Sequence, residues 1–171
     1  MMKFIYLLIF IVILNIILSA TLDNNIYKQK RCIVFEVKRY NISSDESIVL
    51  YGGKEKKFIN DNLYWGEAGY GALAGKRGGY LEGGLIIGYQ KSYRKLFNID
   101  YRLFLGAGGG GSAPQGGGFI INPTIGSGID LSYKWKMFID LGYIKFLNGD
   151  IESKTIAINV HRNFWNLFLK N

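Results

Sequence analysis

The chain has 171 residues, 49% hydrophobic and 15% aromatic, with 23 glycines, 2 prolines, one cysteine and a formal net charge of +8. A single cysteine excludes an internal disulfide, and no Cys/His spacing points to a metal or another cofactor. The length fits one domain, and a glycine- and aromatic-rich, proline-poor composition suits twisted strands with tight turns better than helices.

Met1-Met2-Lys3 is followed by an apolar run over residues 4–18, broken only by Asn15, and then by Ser19-Ala20. This order matches a secretory signal cleaved after Ala20, with a run shorter than the roughly 20 apolar residues a spanning helix needs. The expected organisation is a signal peptide over 1–20 and one domain over 21–171. Export argues against nucleic acid as the reason for the basic charge. Lys28, Lys30, Arg31, Lys54, Lys56, Lys57, Lys76, Arg77, Lys91, Arg94 and Lys95 flank apolar runs. They are read as solvating turns, with contact to lipid phosphates as the alternative.

Eight strands are predicted, at residues 31–41, 46–54, 63–74, 79–90, 95–107, 118–131, 134–146 and 151–164. The clearest is the fifth. Phe97, Ile99, Tyr101, Leu103 and Leu105 fall on one face and Asn98, Asp100 and Arg102 on the other, the two-residue period of a strand. The sixth sends Phe119, Ile121, Ile125, Ile129 and Leu131 one way, and the seventh does the same with Trp135, Met137, Ile139, Leu141 and Tyr143. The last sends out Ile156, Ile158, Val160 and Phe164, with Arg162 as the exception. Tyr89, Phe97, Tyr133, Trp135 and Phe164 would form an aromatic girdle at one end. Gly69, Gly71, Gly84, Gly88, Gly126, Gly128 and Gly142 are expected inside.

Strands apolar on one face, after an export signal, predict a closed antiparallel up-and-down transmembrane β-barrel of about eight strands in a Gram-negative outer membrane. Closure leaves no backbone edge unpaired in hydrocarbon and hides charge inside. An even strand number with the chain ends at the periplasmic side puts the long loop at 108–117 outside. A connection over 56–62 would then be unusually long for the periplasmic side.

The expected interior cluster is Glu67, Glu82, Asp100, Arg102, Asp130, Lys136, Asp140 and His161. The bore of an eight-stranded barrel is about filled by side chains, so these charges should cross-link it. A constricted pore or small-ligand site is the alternative. His161, the only histidine, is the first candidate for a general base, but Ser127 falls on the opposite face and no nucleophile is in reach. The glycine cluster 108–118 lacks the lysine and Ser/Thr of a phosphate loop and reads as a flexible outer loop.

Alternating strands, the pairs Gly69-Tyr70 and Gly88-Tyr89 and a final strand ending near Phe164 together resemble the small outer-membrane β-barrels, the group of the OmpA membrane domain and the OmpX- and OmpW-type barrels. Such barrels usually end at the last aromatic residue, whereas this chain continues from Trp165 to Asn171. The tail then either folds under the barrel or shifts the last strand toward Phe168. The resemblance implies outer-membrane lipid and lipopolysaccharide as surroundings, the barrel assembly machinery as a partner and a monomer. It leaves a structural or surface-interaction role, a narrow conduit and a lipid A acyl-chain hydrolase in play. Such hydrolases carry a histidine and a serine close together near the end of one strand, and Asn159-Val160-His161-Arg162-Asn163 lacks that serine.

Overall fold

The computed structural model describes residues 27–93, 97–114, 116 and 118–168. The signal segment and its cleavage point, the turn at 94–96, Gln115, Gly117 and the tail from 169 lie outside the described residues.

The strands are β1 (Tyr27–Ser43), β2 (Glu46–Phe58), β3 (Leu63–Ala74), β4 (Leu81–Tyr93), β5 (Phe97–Gly109), β6 (Phe119–Asp130), β7 (Trp135–Phe146) and β8 (Glu152–Phe168). Each pairs antiparallel with its sequence neighbours, and the sheet closes on itself. The barrel proper is a compact unit over residues 29–166. Connections at 44–45, 75–80, 110–118 and 147–151 share one end, the loop end. Those at 59–62 and 131–134 share the other end with the chain's entry and exit, here called the terminal rim.

The polarity is inverted relative to a water-soluble protein. Ile139, Leu141, Ile156 and Ile158 are all more than half exposed, while Asp100 and Asp140 are 1% and 2% exposed. A water-soluble barrel would bury the first set and wet the second. With an apolar band outside and charges inside, the wall suits hydrocarbon.

The structure changes several sequence expectations. β2 continues to Phe58, so the connection that looked long is only 59–62; alternation persists through Lys54, Lys56 and Phe58, all buried. Lys54 and Lys56 therefore lie in the bore rather than solvating a turn. In β3 the parity is opposite to that expected. Tyr64, Ala68 and Tyr70 point in, and Glu67, Gly69 and Gly71 point out with Leu63 and Trp65. The rings of Tyr64 and Tyr70 bring hydroxyls into the bore with more buried area than Glu67 would, and they decide the facing. β8 runs to Phe168, with Thr155, Asn159 and, as expected, His161 inward.

The 110–118 loop is held rather than free. Gly108 N donates to Gly118 O at 2.8 Å and Asp150 N to Pro114 O at 3.1 Å. Arg77 forks onto Glu46 with two contacts of 2.8 Å and also donates to Ser112 O at 2.5 Å. At Gly116, φ is +56°, and an added Cβ would sit 1.5 Å from Asn148 O, so only glycine fits where these two loops meet.

Candidate functional site: the ion-paired bore

Alternation along every strand delivers one side chain in two to the interior, and in this chain many of those are charged. Buried carboxylates are Glu36, Glu82, Asp100 and Asp140; buried cations are Lys38, Lys54, Lys56 and Arg102. Charge is thus balanced within the described bore, as burial of ions demands.

The middle of the bore is one network. Arg102 donates from Nη1 to Asp100 Oδ2 at 2.9 Å and from Nη2 to Asp140 Oδ2 at 2.5 Å. Lys56 Nζ reaches Asp100 Oδ2 at 2.8 Å and Gln90 Oε1 at 3.0 Å, and the Tyr64 hydroxyl donates to Asp100 Oδ1 at 2.7 Å. Lys54 bonds Glu36 and stands 3.6 Å from Asp140 Oδ2. Toward the loops, Lys38 pairs with Glu82 and lies 3.9 Å from the Tyr70 ring centroid. Tyr40 donates to Glu82 Oε2 at 3.2 Å.

Interior glycines are what let this fit. A Cβ on Gly88 would lie 2.4 Å from the Tyr64 ring, and one on Gly128 2.5 Å from the Phe138 ring. The wall is stripped where large side chains press against it. A cavity between Glu36, Lys38, Arg102 and Asp140 holds only about 10 Å³.

At the terminal mouth, Lys136 Nζ donates to Asn98 Oδ1 at 2.6 Å and stands 3.0 Å from Asp130 Oδ1, while Asn98 Nδ2 donates to Asp130 Oδ1 at 2.6 Å. Beside Lys136, its register partner His161 stacks on Phe138 at 4.2 Å, and its Nε2 lies 2.5 Å from Asn159 Oδ1. Among the described residues no carboxylate hydrogen-bonds its ring, and Ser127 is exposed on the outer face.

Of the cluster expected from sequence, Glu82, Asp100, Arg102, Asp140 and His161 are buried, and Asp130 and Lys136 are half-buried at the mouth. Glu67 is the exception. Its side chain is 59% exposed on the outer wall, where Lys57 Nζ meets Oε1 at 2.9 Å. Sequence reasoning missed Glu36, Lys38, Lys54 and Lys56. The signal was there: Cys32, Val34, Glu36, Lys38 and Tyr40 share a parity opposite to Ile33, Phe35 and Val37. Both faces are partly apolar, so only the placement of the charges separates them.

No family model matches the sequence, and no curated protein matches it. Solved structures do match in fold. The N-terminal β-barrel domain of Pseudomonas aeruginosa OprF aligns at TM-score 0.57 and 16% identity, covering 81% of this chain and 100% of that one. Neisserial surface protein A aligns at TM-score 0.51 and 12% identity, covering 80% and 96%. A de novo designed transmembrane β-barrel aligns at 0.57 and 7%, covering 79% and 95%. At such identities the likeness is one of fold: this chain is a small, closed, eight-stranded antiparallel barrel of the transmembrane kind.

Proposed function

We propose that this protein is a non-enzymatic outer-membrane barrel of a Gram-negative cell, with a structural or surface-interaction role and no through-channel. The observation that carries the reading is the filled bore. Its paired charges leave a void of about 10 Å³ at mid-height, no more than the roughly 10–15 Å³ one water requires. A conduit needs a continuous wet path. The apolar outer band, the even strand number and longer loops opposite the chain ends favour an outer membrane, as does likeness in fold to the OprF barrel domain. The same band suits lipid and lipopolysaccharide as surroundings of a single copy, and the aromatic end of β8 suits handling by the barrel assembly machinery.

Against hydrolysis of lipid A stands the chemistry around His161, which is stacked on Phe138 and, among the described residues, hydrogen-bonds neither a serine nor a carboxylate; Ser92, at the same mouth, is engaged by Asn98 and Lys136. The loop end, laced by Arg77 and by the 110–118 loop, is a firm platform suited to contact from outside.

Purified, refolded protein in planar bilayers should give no unitary current; a reproducible unitary conductance would overturn the proposal. Gel migration should change on boiling and the protein should fractionate with outer membranes. The lipid A mass spectrum should be the same with and without overexpression, and the same for His161→Ala.

A further inference from the structure

Among the cations of the terminal rim, which also include Lys30 and Lys91, two groups differ in how their charge is met. On β1–β3, Arg31 Nη1 lies 2.8 Å from Glu55 Oε1, and Lys57 Nζ is shared between Glu67 at 2.9 Å and Glu55 at 3.9 Å. Charge there cancels in place. On β7–β8, Lys134 and Arg162 have no carboxylate within ion-pair distance among the described residues. Asp130, the acid at the end of β6, leans inward onto Lys136.

Each of these two cations stands over one of two neighbouring rings. Arg162 is the register partner of Trp135, and Lys134 precedes it in the chain. Asn163 N donates to Lys134 O at 2.9 Å, which ties the 131–134 turn to β8. Arg162 Cζ stands 5.7 Å from the Trp135 ring centroid and Lys134 Nζ 4.9 Å from that of Tyr133, which is 86% exposed. Amphipathic rings facing lipid mark the depth of the headgroups. A planar guanidinium and an ammonium at that depth, both without a counter-ion, present the donors a phosphate takes.

We infer that Lys134 and Arg162, with Trp135 and Tyr133, bind the headgroup phosphate of an anionic glycerophospholipid in the leaflet bordering the terminal rim. The inference rests on the membrane reading above. Lipopolysaccharide phosphates would meet the opposite end, where Arg77 and Lys145 are already engaged by Glu46 and Glu152.

The test is native mass spectrometry of the membrane-extracted protein titrated with phosphatidylglycerol, phosphatidylcholine, lipopolysaccharide or inorganic phosphate. One phosphatidylglycerol should be retained in preference to phosphatidylcholine. Lys134→Gln with Arg162→Gln should weaken retention roughly thirtyfold, the effect of two basic residues at a lipid surface. Lys57→Gln, which removes a cation already neutralised, should change it less than twofold. As a measurement that removes no charge, Trp135 in a Trp65→Phe/Trp165→Phe background should be quenched more by brominated phosphatidylglycerol than by brominated phosphatidylcholine. Equal retention of the two lipids, an unaffected double variant, equal quenching, or displacement of lipid by inorganic phosphate or lipopolysaccharide would each overturn the inference. A barrel that enters vesicles without this preference sinks the inference alone; one that never enters vesicles sinks the membrane reading with it.

Discussion

Toward the loops the bore is closed by Ile48, Tyr80, Ile120, Ile144, Phe146 and Ile151, all fully buried, whereas its middle is closed by Glu36, Lys54, Lys56, Asp100, Arg102 and Asp140. Both stretches are buried, but they answer differently to damage. In the apolar stretch each side chain contributes its own contacts, so losses are local and graded. In the ionic stretch every charge is sited by its neighbours, and removing one strands the others away from water.

Arg102→Met should expose that contrast most visibly. It leaves Asp100 and Asp140 sharing only the lysines, and the expected loss is about 3–5 kcal/mol, the usual cost of deleting one partner of a buried pair. The midpoint of urea unfolding in lipid vesicles, followed by boiling-sensitive gel migration, checks it. Gly88→Val should also be severe, because its Cβ would fall 2.4 Å from the Tyr64 ring that Asp100 anchors; the same assay should show mostly unfolded protein. Ile144→Val, in the apolar stretch, should cost only about 1 kcal/mol.

Replacing Lys38 and Glu82 together by Met and Leu extends apolar packing into the ionic stretch. The double variant should be more stable than either single variant, since neither partner is left alone. A double variant as unstable as the sum of the singles would mean that this pair holds something beyond itself. The smallest effect is expected from Gly83→Ala. Gly83 lies on the outer wall, and a Cβ there would come no nearer than 3.6 Å to Ala68 O. A shift of the midpoint beyond the scatter of the assay would show that the outer wall is as tightly specified as the inner one.

How far the site could be read from sequence differs along the chain. In β5 to β8 the outward positions away from the strand ends are almost purely aliphatic or aromatic, so parity puts Asp100, Arg102, Asp140 and His161 inside. β1 to β3 carry charges on both faces. Lys56 is buried while Lys57 is not, and Glu67 is exposed while Glu82, one strand on, is buried. A single sequence offers no rule there, because an outward charge at the rim can be paired and wetted and an inward one paired and dry. Expecting charge to mean interior put Glu67 inside, and reading lysines near an expected turn as solvent-facing put Lys54 and Lys56 outside.

The two-residue period, most of the turn positions and the sign of the wall are written in the chain, because they depend on local backbone geometry and on which side chains hydrocarbon accepts. Which charges meet is set by closure of the sheet. Lys56 and Asp100 are 44 residues apart, as are Lys38 and Glu82. Their contact depends on register summed across several strands and on glycines that open room for Tyr64 and Phe138. Neither is a property of any short stretch of chain, so the ion-paired bore belongs to the assembled barrel.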